Sequence, residues 1–101
     1  MVETYKPNGI PLTDYERELL VILMEECAEV IQAASKLIRF GKENRPDSGI
    51  PNTRTLALEF GDLQFVMDQV ARPGGMLSPE ECNEGYERKR ERLAHFMQTS
   101  A

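Results

Sequence analysis

The hydrophobic pattern begins with one long amphipathic helix. Apolar residues recur at helical spacing between Leu19 and Phe40. A Thr-x-x-Glu capping box at Thr13 and Glu16 predicts where this helix begins, and Gly41 predicts where it ends. At 1.5 Å per residue, the helix of about 27 residues is roughly 40 Å long. The short helices of one small chain would not cover that length, so we expect homo-oligomerisation to complete the bundle.

Two shorter helical patterns follow, each bounded by loop-forming residues. The polar segment 41–52 contains two prolines and two glycines and predicts a loop. Apolar spacing predicts a second helix over about 53–71, which the sequence RPGG ends, and a third over about 79–97, with Ser78 as its N-cap. We expect the third helix to bury a face formed by Tyr86, Leu93, Phe96 and Met97. No segment alternates like a β-strand, so the predicted fold class is all-α, a helical bundle with a long first helix.

Composition places the chain among ordinary globular proteins. Its 101 residues are 41% hydrophobic and 29% charged, which suits one domain over 13–98 after an extended N-terminal arm over 1–12. A net charge of -5 disfavours general binding to nucleic acid or to a membrane. There is no apolar run of membrane-spanning length and no signal-peptide pattern. Cys27 and Cys82 lack the spacing of a disulfide framework, so we expect a reduced, cytoplasmic protein.

Acidic pairs interrupt the apolar stripes of the first two helices. Glu26 and Glu29 are about 60° apart on the first helix and share its inward stripe. Glu59 and Asp62 repeat that spacing on the second helix. Burying carboxylates without compensation costs several kcal/mol per charge, and neither stripe carries a lysine or arginine beside its acids. An all-oxygen cluster suits Mg²⁺ or Mn²⁺, whereas solvated acids at the edge of the stripe are the alternative.

The two acidic motifs carry a family resemblance. Glu26-Cys-Ala-Glu29 followed by Glu59-Phe-Gly-Asp62 resembles the paired motifs of the MazG-like all-α nucleoside triphosphate pyrophosphohydrolases, over about residues 15–70. The resemblance implies Mg²⁺-dependent cleavage of a (d)NTP between its α- and β-phosphates, which gives a (d)NMP and pyrophosphate. It implies that Glu26, Glu29, Glu59 and Asp62 hold the metal, for which Mn²⁺ is a possible substitute. One of the four would instead accept a proton from the attacking water.

The resemblance also implies partners and a role. Members act as dimers or tetramers in nucleotide-pool sanitation or control, and commonly contact phosphates through basic residues of a late helix. In this chain the third helix carries a basic run, in which Lys89 and Arg92 are the expected phosphate-binding residues. A solvated basic helix end is the alternative. Gly61, between Glu59 and Asp62, indicates either a close helix approach or simple tolerance.

Two other functions compete with this hypothesis. Phosphoribosyl-ATP pyrophosphohydrolysis would use the same metal residues. A non-catalytic helical interaction module would instead pair its inward acids with the basic helix of a partner. A single histidine and two distant cysteines argue against a zinc site.

Overall fold

The computed structural model describes residues 10–43 and 48–99. These residues form α1 (Asp14–Phe40), α2 (Asn52–Val70) and α3 (Pro79–Phe96). Within these ranges there is no β-strand, and no helix is long and apolar enough to cross a membrane. The predicted all-α class and long first helix are confirmed. Most of the expected N-terminal arm, residues 1–9, lies outside the described residues, and residues 10–12 have no regular secondary structure.

Local hydrogen bonds set the ends of α1 where the sequence predicts them. The Thr13 hydroxyl accepts from the Glu16 N–H at 3.1 Å, and the Thr13 N–H donates to the Glu16 carboxylate at 2.9 Å. This is the complete capping box. At the other end, Gly41 has a φ of 82° and donates its N–H to the Leu37 carbonyl at 2.8 Å. A glycine accepts this positive φ without strain, which ends the helix.

A tight turn separates α2 from α3. The Gly75 N–H donates to the Arg72 carbonyl at 2.8 Å, and the Leu77 N–H donates to the Val70 carbonyl at 3.1 Å. A Cβ at Gly75 would lie 2.9 Å from Arg72 Cγ, so the turn leaves no room for a side chain there. Ser78 then caps α3 by accepting from the Glu81 N–H at 3.2 Å.

The core lies between α1 and α2 and is small. Only Ala33, Val66 and Val70 are buried apolar residues, at 4%, 9% and 1% exposure among the described residues. Six other residues of the two stripes are half-buried: Leu19, Leu23, Val30, Leu37, Leu56 and Leu63. Four more that share these apolar patterns lie on the surface: Ile22, Phe40, Phe60 and Met67. The hairpin therefore buries only part of each stripe.

The third helix does not pack closely against either of the others. No Cα atom of α3 lies within 8 Å of a described Cα of α1 or α2. The expected buried face of α3 is wrong for the single chain, because its four members are 46% to 68% exposed. The α2–α3 turn leaves only the start of α3 near the hairpin, where Cys82 and Tyr86 line an open cleft with Leu23, and the later apolar side chains of α3 stay exposed. The radius of gyration is accordingly 17.7 Å, against about 13 Å for a compact domain of this length.

Candidate metal centre

Three of the four predicted acidic residues meet between α1 and α2. Glu26 comes from the middle of α1, and Glu59 and Asp62 come from α2. One carboxylate oxygen from each lies within 4.8 Å of the other two. Glu26 and Glu59 are half-buried, whereas Asp62 is exposed. We call these three residues the acid cluster.

The neighbouring charges act most clearly on Glu59. Loss of surrounding water raises the pKa of the Glu59 carboxyl above its ordinary value, and the negative charges of Glu29, Asp62 and Glu26 raise it further, in that order. Both causes disfavour the ionised carboxylate. A proton or a nearby cation would relieve them.

Glu29 stands beside the acid cluster without joining it. Its side chain is exposed and does not belong to the group of oxygens within 4.8 Å. The negative charge of Glu29 nevertheless raises the pKa of Glu59 more than the charge of Asp62 or the charge of Glu26 does. The structure therefore brings all four predicted acids to one region and gives three of them a shared centre.

No lysine or arginine in the described part of the chain neutralises the acid cluster. The ion pair found among the described residues joins Arg90 to Glu87 at 2.7 Å, both on α3. Carboxylate oxygens converging without a cation are a donor set that suits Mg²⁺ or Mn²⁺, since these ions prefer oxygen ligands and retain several waters. The residues present thus fit a divalent ion open to solvent on one side.

Lys89 and Arg92 lie on α3, the helix that does not pack closely on the hairpin. The Lys89 ammonium is 5.5 Å from the centre of the Phe96 ring, and the Arg92 guanidinium is 5.1 Å from it. Both distances are within cation–π range. Within one chain these cations flank an aromatic ring of their own helix rather than the acid cluster.

Gly61 does not mark a close approach of two helices. It lies inside α2, between Glu59 and Asp62, and a Cβ built on it would meet no atom within 4 Å. In the single chain, α2 therefore tolerates a glycine at this position, and no neighbouring helix among the described residues requires it.

Asn52 has a structural role that the sequence analysis does not identify. It is only 3% exposed, and its side-chain amide donates to the Gly41 carbonyl at 2.9 Å. Its backbone N–H also donates to the Glu43 carbonyl at 3.4 Å. Asn52 thereby ties the start of α2 to the end of α1 and sets the relative position of the two acid-bearing helices.

Comparison with known proteins adds no relative. No protein-family model matches this chain, and no curated protein or solved structure is significantly similar to it.

Proposed function

We propose that this protein is a Mg²⁺-dependent nucleoside triphosphate pyrophosphohydrolase. It would cleave a (d)NTP between the α- and β-phosphates to a (d)NMP and pyrophosphate, and so sanitise or control a nucleotide pool. The observation that carries the proposal is the acid cluster, with three carboxylate oxygens within 4.8 Å of one another across two helices. The order and spacing of the two acidic motifs, which resemble the MazG-like enzymes, support the same proposal.

Each acid has a role in this proposal. Glu26, Glu59 and Asp62 would hold the ion, with Mn²⁺ as a substitute for Mg²⁺. The bound ion would neutralise phosphate charge and activate water for in-line attack. Glu29, exposed beside Glu59, would complete the ligand set or accept a proton from the attacking water at its carboxylate.

Lys89 and Arg92 remain the proposed phosphate contacts. Their ammonium and guanidinium groups supply the donors that a triphosphate tail requires. Because α3 does not pack closely on α1 or α2, they would reach the acid cluster from another copy of the chain or after α3 moves. Self-association as a dimer or tetramer is part of the proposal.

Ion-dependent melting tests the acid cluster directly. An ion at ten times its Kd stabilises the folded protein by about 1.4 kcal/mol, which raises Tm by roughly 6 to 11 °C for a domain of this size. We expect Mg²⁺ or Mn²⁺ to produce such a rise in the wild type and not in Glu59→Gln. Glu18→Gln is the matched control, since Glu18 is an exposed α1 residue outside the cluster. An equal rise in both variants would contradict the assignment.

Turnover separates the remaining roles. If Glu29 accepts the proton, Glu29→Gln retains the ion-dependent rise in Tm and loses hydrolysis. If Glu29 is a ligand, both decrease together. A substrate panel of NTPs, dNTPs and phosphoribosyl-ATP distinguishes pool control from the histidine-pathway alternative.

A non-catalytic interaction module is the second candidate. The observation that favours it is that no lysine or arginine among the described residues forms an ion pair with the acid cluster. The basic helix of another protein would also neutralise these three carboxylates. This alternative predicts no cleavage of any triphosphate and no rise in Tm with Mg²⁺.

A further inference from the structure

An apolar cleft lies where the start of α3 faces the hairpin. Its volume is about 630 Å³, and all three helices contribute to its walls. Its apolar lining includes Leu23, Met67, Val70, Leu77 and Tyr86. Both cysteines of the chain also line it, Cys27 from α1 and Cys82 from α3. The two thiols of this protein therefore face one cleft from two helices.

Helical spacing and exposure make both thiols available in the cleft. Leu23 and Cys27 are four residues apart and share one face of α1, and Cys82 and Tyr86 do the same on α3. Both cysteines are free and exposed. A small oxidant in solution can therefore reach either sulfur atom.

The cleft lies on a different side of the hairpin from the acid cluster. On α1, Cys27 is about 100° around the helix from Glu26. On α2, Met67 is about 140° around the helix from Asp62. Chemistry at the two cysteines would therefore leave the acid cluster open to solvent.

The two sulfur atoms can bond only after α3 moves. A disulfide requires Cα atoms roughly 4.4 to 6.8 Å apart. No Cα atom of α3 lies within 8 Å of a described Cα of α1. The turn over residues 71–77 joins α3 to the hairpin, and it is the hinge about which α3 would close on the cleft.

The apolar stripe of α3 favours this closure. Leu93 and Phe96 continue the face on which Tyr86 lines the cleft, and they are 46% and 58% exposed. On the cleft side of α2, Phe60 and Met67 are 58% and 45% exposed. Closing the angle between α3 and the hairpin would bury these apolar surfaces against each other, which is favourable in water.

We propose that Cys27 and Cys82 form a reversible disulfide that latches α3 onto the cleft side of the hairpin. The oxidant is a low-molecular-weight disulfide such as glutathione disulfide. One cysteine thiolate attacks a sulfur of the oxidant, which releases one small thiol and leaves a mixed disulfide. The other cysteine thiolate then displaces the second small thiol. Two electrons and the two cysteine protons end on the released thiols, and the S–S bond remains in the chain.

The latch is regulatory rather than structural. In a reducing compartment such a bond forms only under oxidising conditions and is then reversed. In the latched chain, Lys89 and Arg92 are held with α3 on the cleft side, away from the acid cluster of the same chain. The latch does not require the proposed hydrolase activity, so a protein without that activity would still form it.

The first test counts thiols after oxidation. Protein at low micromolar concentration is treated with glutathione disulfide, and the remaining thiols are labelled with a maleimide polymer and resolved on a non-reducing gel. We expect the wild type to lose both thiols as a monomer whose mass falls by two hydrogen atoms, and dithiothreitol to restore them.

The matched control moves one thiol out of the cleft. It combines Cys82→Ser with Glu84→Cys, because Glu84 lines a separate surface of α3, about 160° around the helix from Cys82. We expect this control to carry glutathione adducts without an internal disulfide. A covalent wild-type dimer, two glutathione adducts on the wild type, or equal internal disulfide formation in the control would overturn the proposal.

The second test is thermal melting of the oxidised monomer. The disulfide closes the chain between Cys27 and Cys82 into one long loop and so restricts the unfolded state. We expect Tm to exceed that of the reduced protein by at least about 10 °C, and Cys27→Ser to show no rise with the same oxidant. An oxidised wild type that melts at or below the reduced protein would show that the bond distorts the fold, and would overturn the latch.

Discussion

Asn52 fixes the hairpin that carries the acid cluster, so its replacement tests how the two helices are aligned. Its amide donates to the Gly41 carbonyl at 2.9 Å, and the side chain is only 3% exposed. Asn52→Ala deletes this donor and leaves the carbonyl without its partner. Asn52→Asp keeps the shape but replaces the donor with a carboxylate oxygen that faces the same carbonyl.

The two replacements differ in magnitude and in pH dependence. Loss of one part-buried neutral hydrogen bond, whose acceptor belongs to the exposed Gly41, costs about 1 kcal/mol, so Asn52→Ala should lower Tm by roughly 4 to 8 °C. Asn52→Asp should cost about 3 kcal/mol or more at pH 7, because it buries an unpaired charge. Burial raises the pKa of the new carboxyl in the folded state. The folded protein is therefore favoured at low pH, where the acid is neutral and can donate, and loses that advantage as the pH rises through the raised pKa.

Urea denaturation at pH 4.5 and at pH 7 measures both effects. Asn83→Asp is the matched control, because Asn83 is an exposed residue of α3 and the chemical change is identical. We expect the control to stay within about 0.5 kcal/mol of the wild type at both pH values. The reasoning is refuted if Asn52→Asp matches the wild type at pH 7, or if its deficit does not shrink relative to the control at pH 4.5.

Three further predictions follow from particular residues. Without divalent ions, Glu59→Gln should melt at a higher temperature than the wild type at pH 7, because it removes a carboxylate whose ionised form is disfavoured by its surroundings. This difference in Tm should vanish as the pH falls below 4.5, the ordinary pKa of a glutamate, because the wild-type residue is then protonated as well. Gly61→Ala should raise the unfolding free energy by about 1 kcal/mol in urea, because its Cβ meets no atom within 4 Å, and a loss instead would show that a neighbour approaches there. Thr13→Ala should lower the unfolding free energy by about 1 kcal/mol through loss of the capping box, and an unchanged urea midpoint would contradict that role.

Helix ends were predictable because their causes are local. Thr13 and Glu16 are three residues apart, and Ser78 caps α3 through Glu81 at the same separation. Gly41 bonds to Leu37, four residues before it. Such contacts form wherever the residues occur in the right order, so they can be predicted without knowing the tertiary structure.

The packing of α3 and the burial of Asn52 depend on tertiary structure. The apolar stripe of α3 indicates that some surface should cover it, but not which helix or which chain supplies that surface. Asn52 bonds to a carbonyl eleven residues away, across a loop whose path no local pattern specifies. The sequence analysis therefore predicts the wrong burial for the apolar face of α3, and it does not identify the role of Asn52.

For the two acidic pairs, the sequence predicts the shared location of the acids but not which of them are more buried. Their spacing predicts that two acids share each stripe, and the structure brings Glu26, Glu59 and Asp62 together. Residues three apart are still about 60° apart around a helix, so only one of each pair can point deepest into the groove. Accordingly Glu26 and Glu59 are half-buried, and Glu29 and Asp62 are exposed.

Product analysis after incubation with nucleoside triphosphates and Mg²⁺ tests the central claim most directly. Phosphorus NMR distinguishes cleavage at the α–β bond from cleavage at the β–γ bond. We expect the wild type to give a nucleoside monophosphate and pyrophosphate in equal amounts, chelation of the metal to stop the reaction, and Glu59→Gln to lower the rate at least about 100-fold. A nucleoside diphosphate with inorganic phosphate, or no product from any triphosphate, would contradict the proposed function.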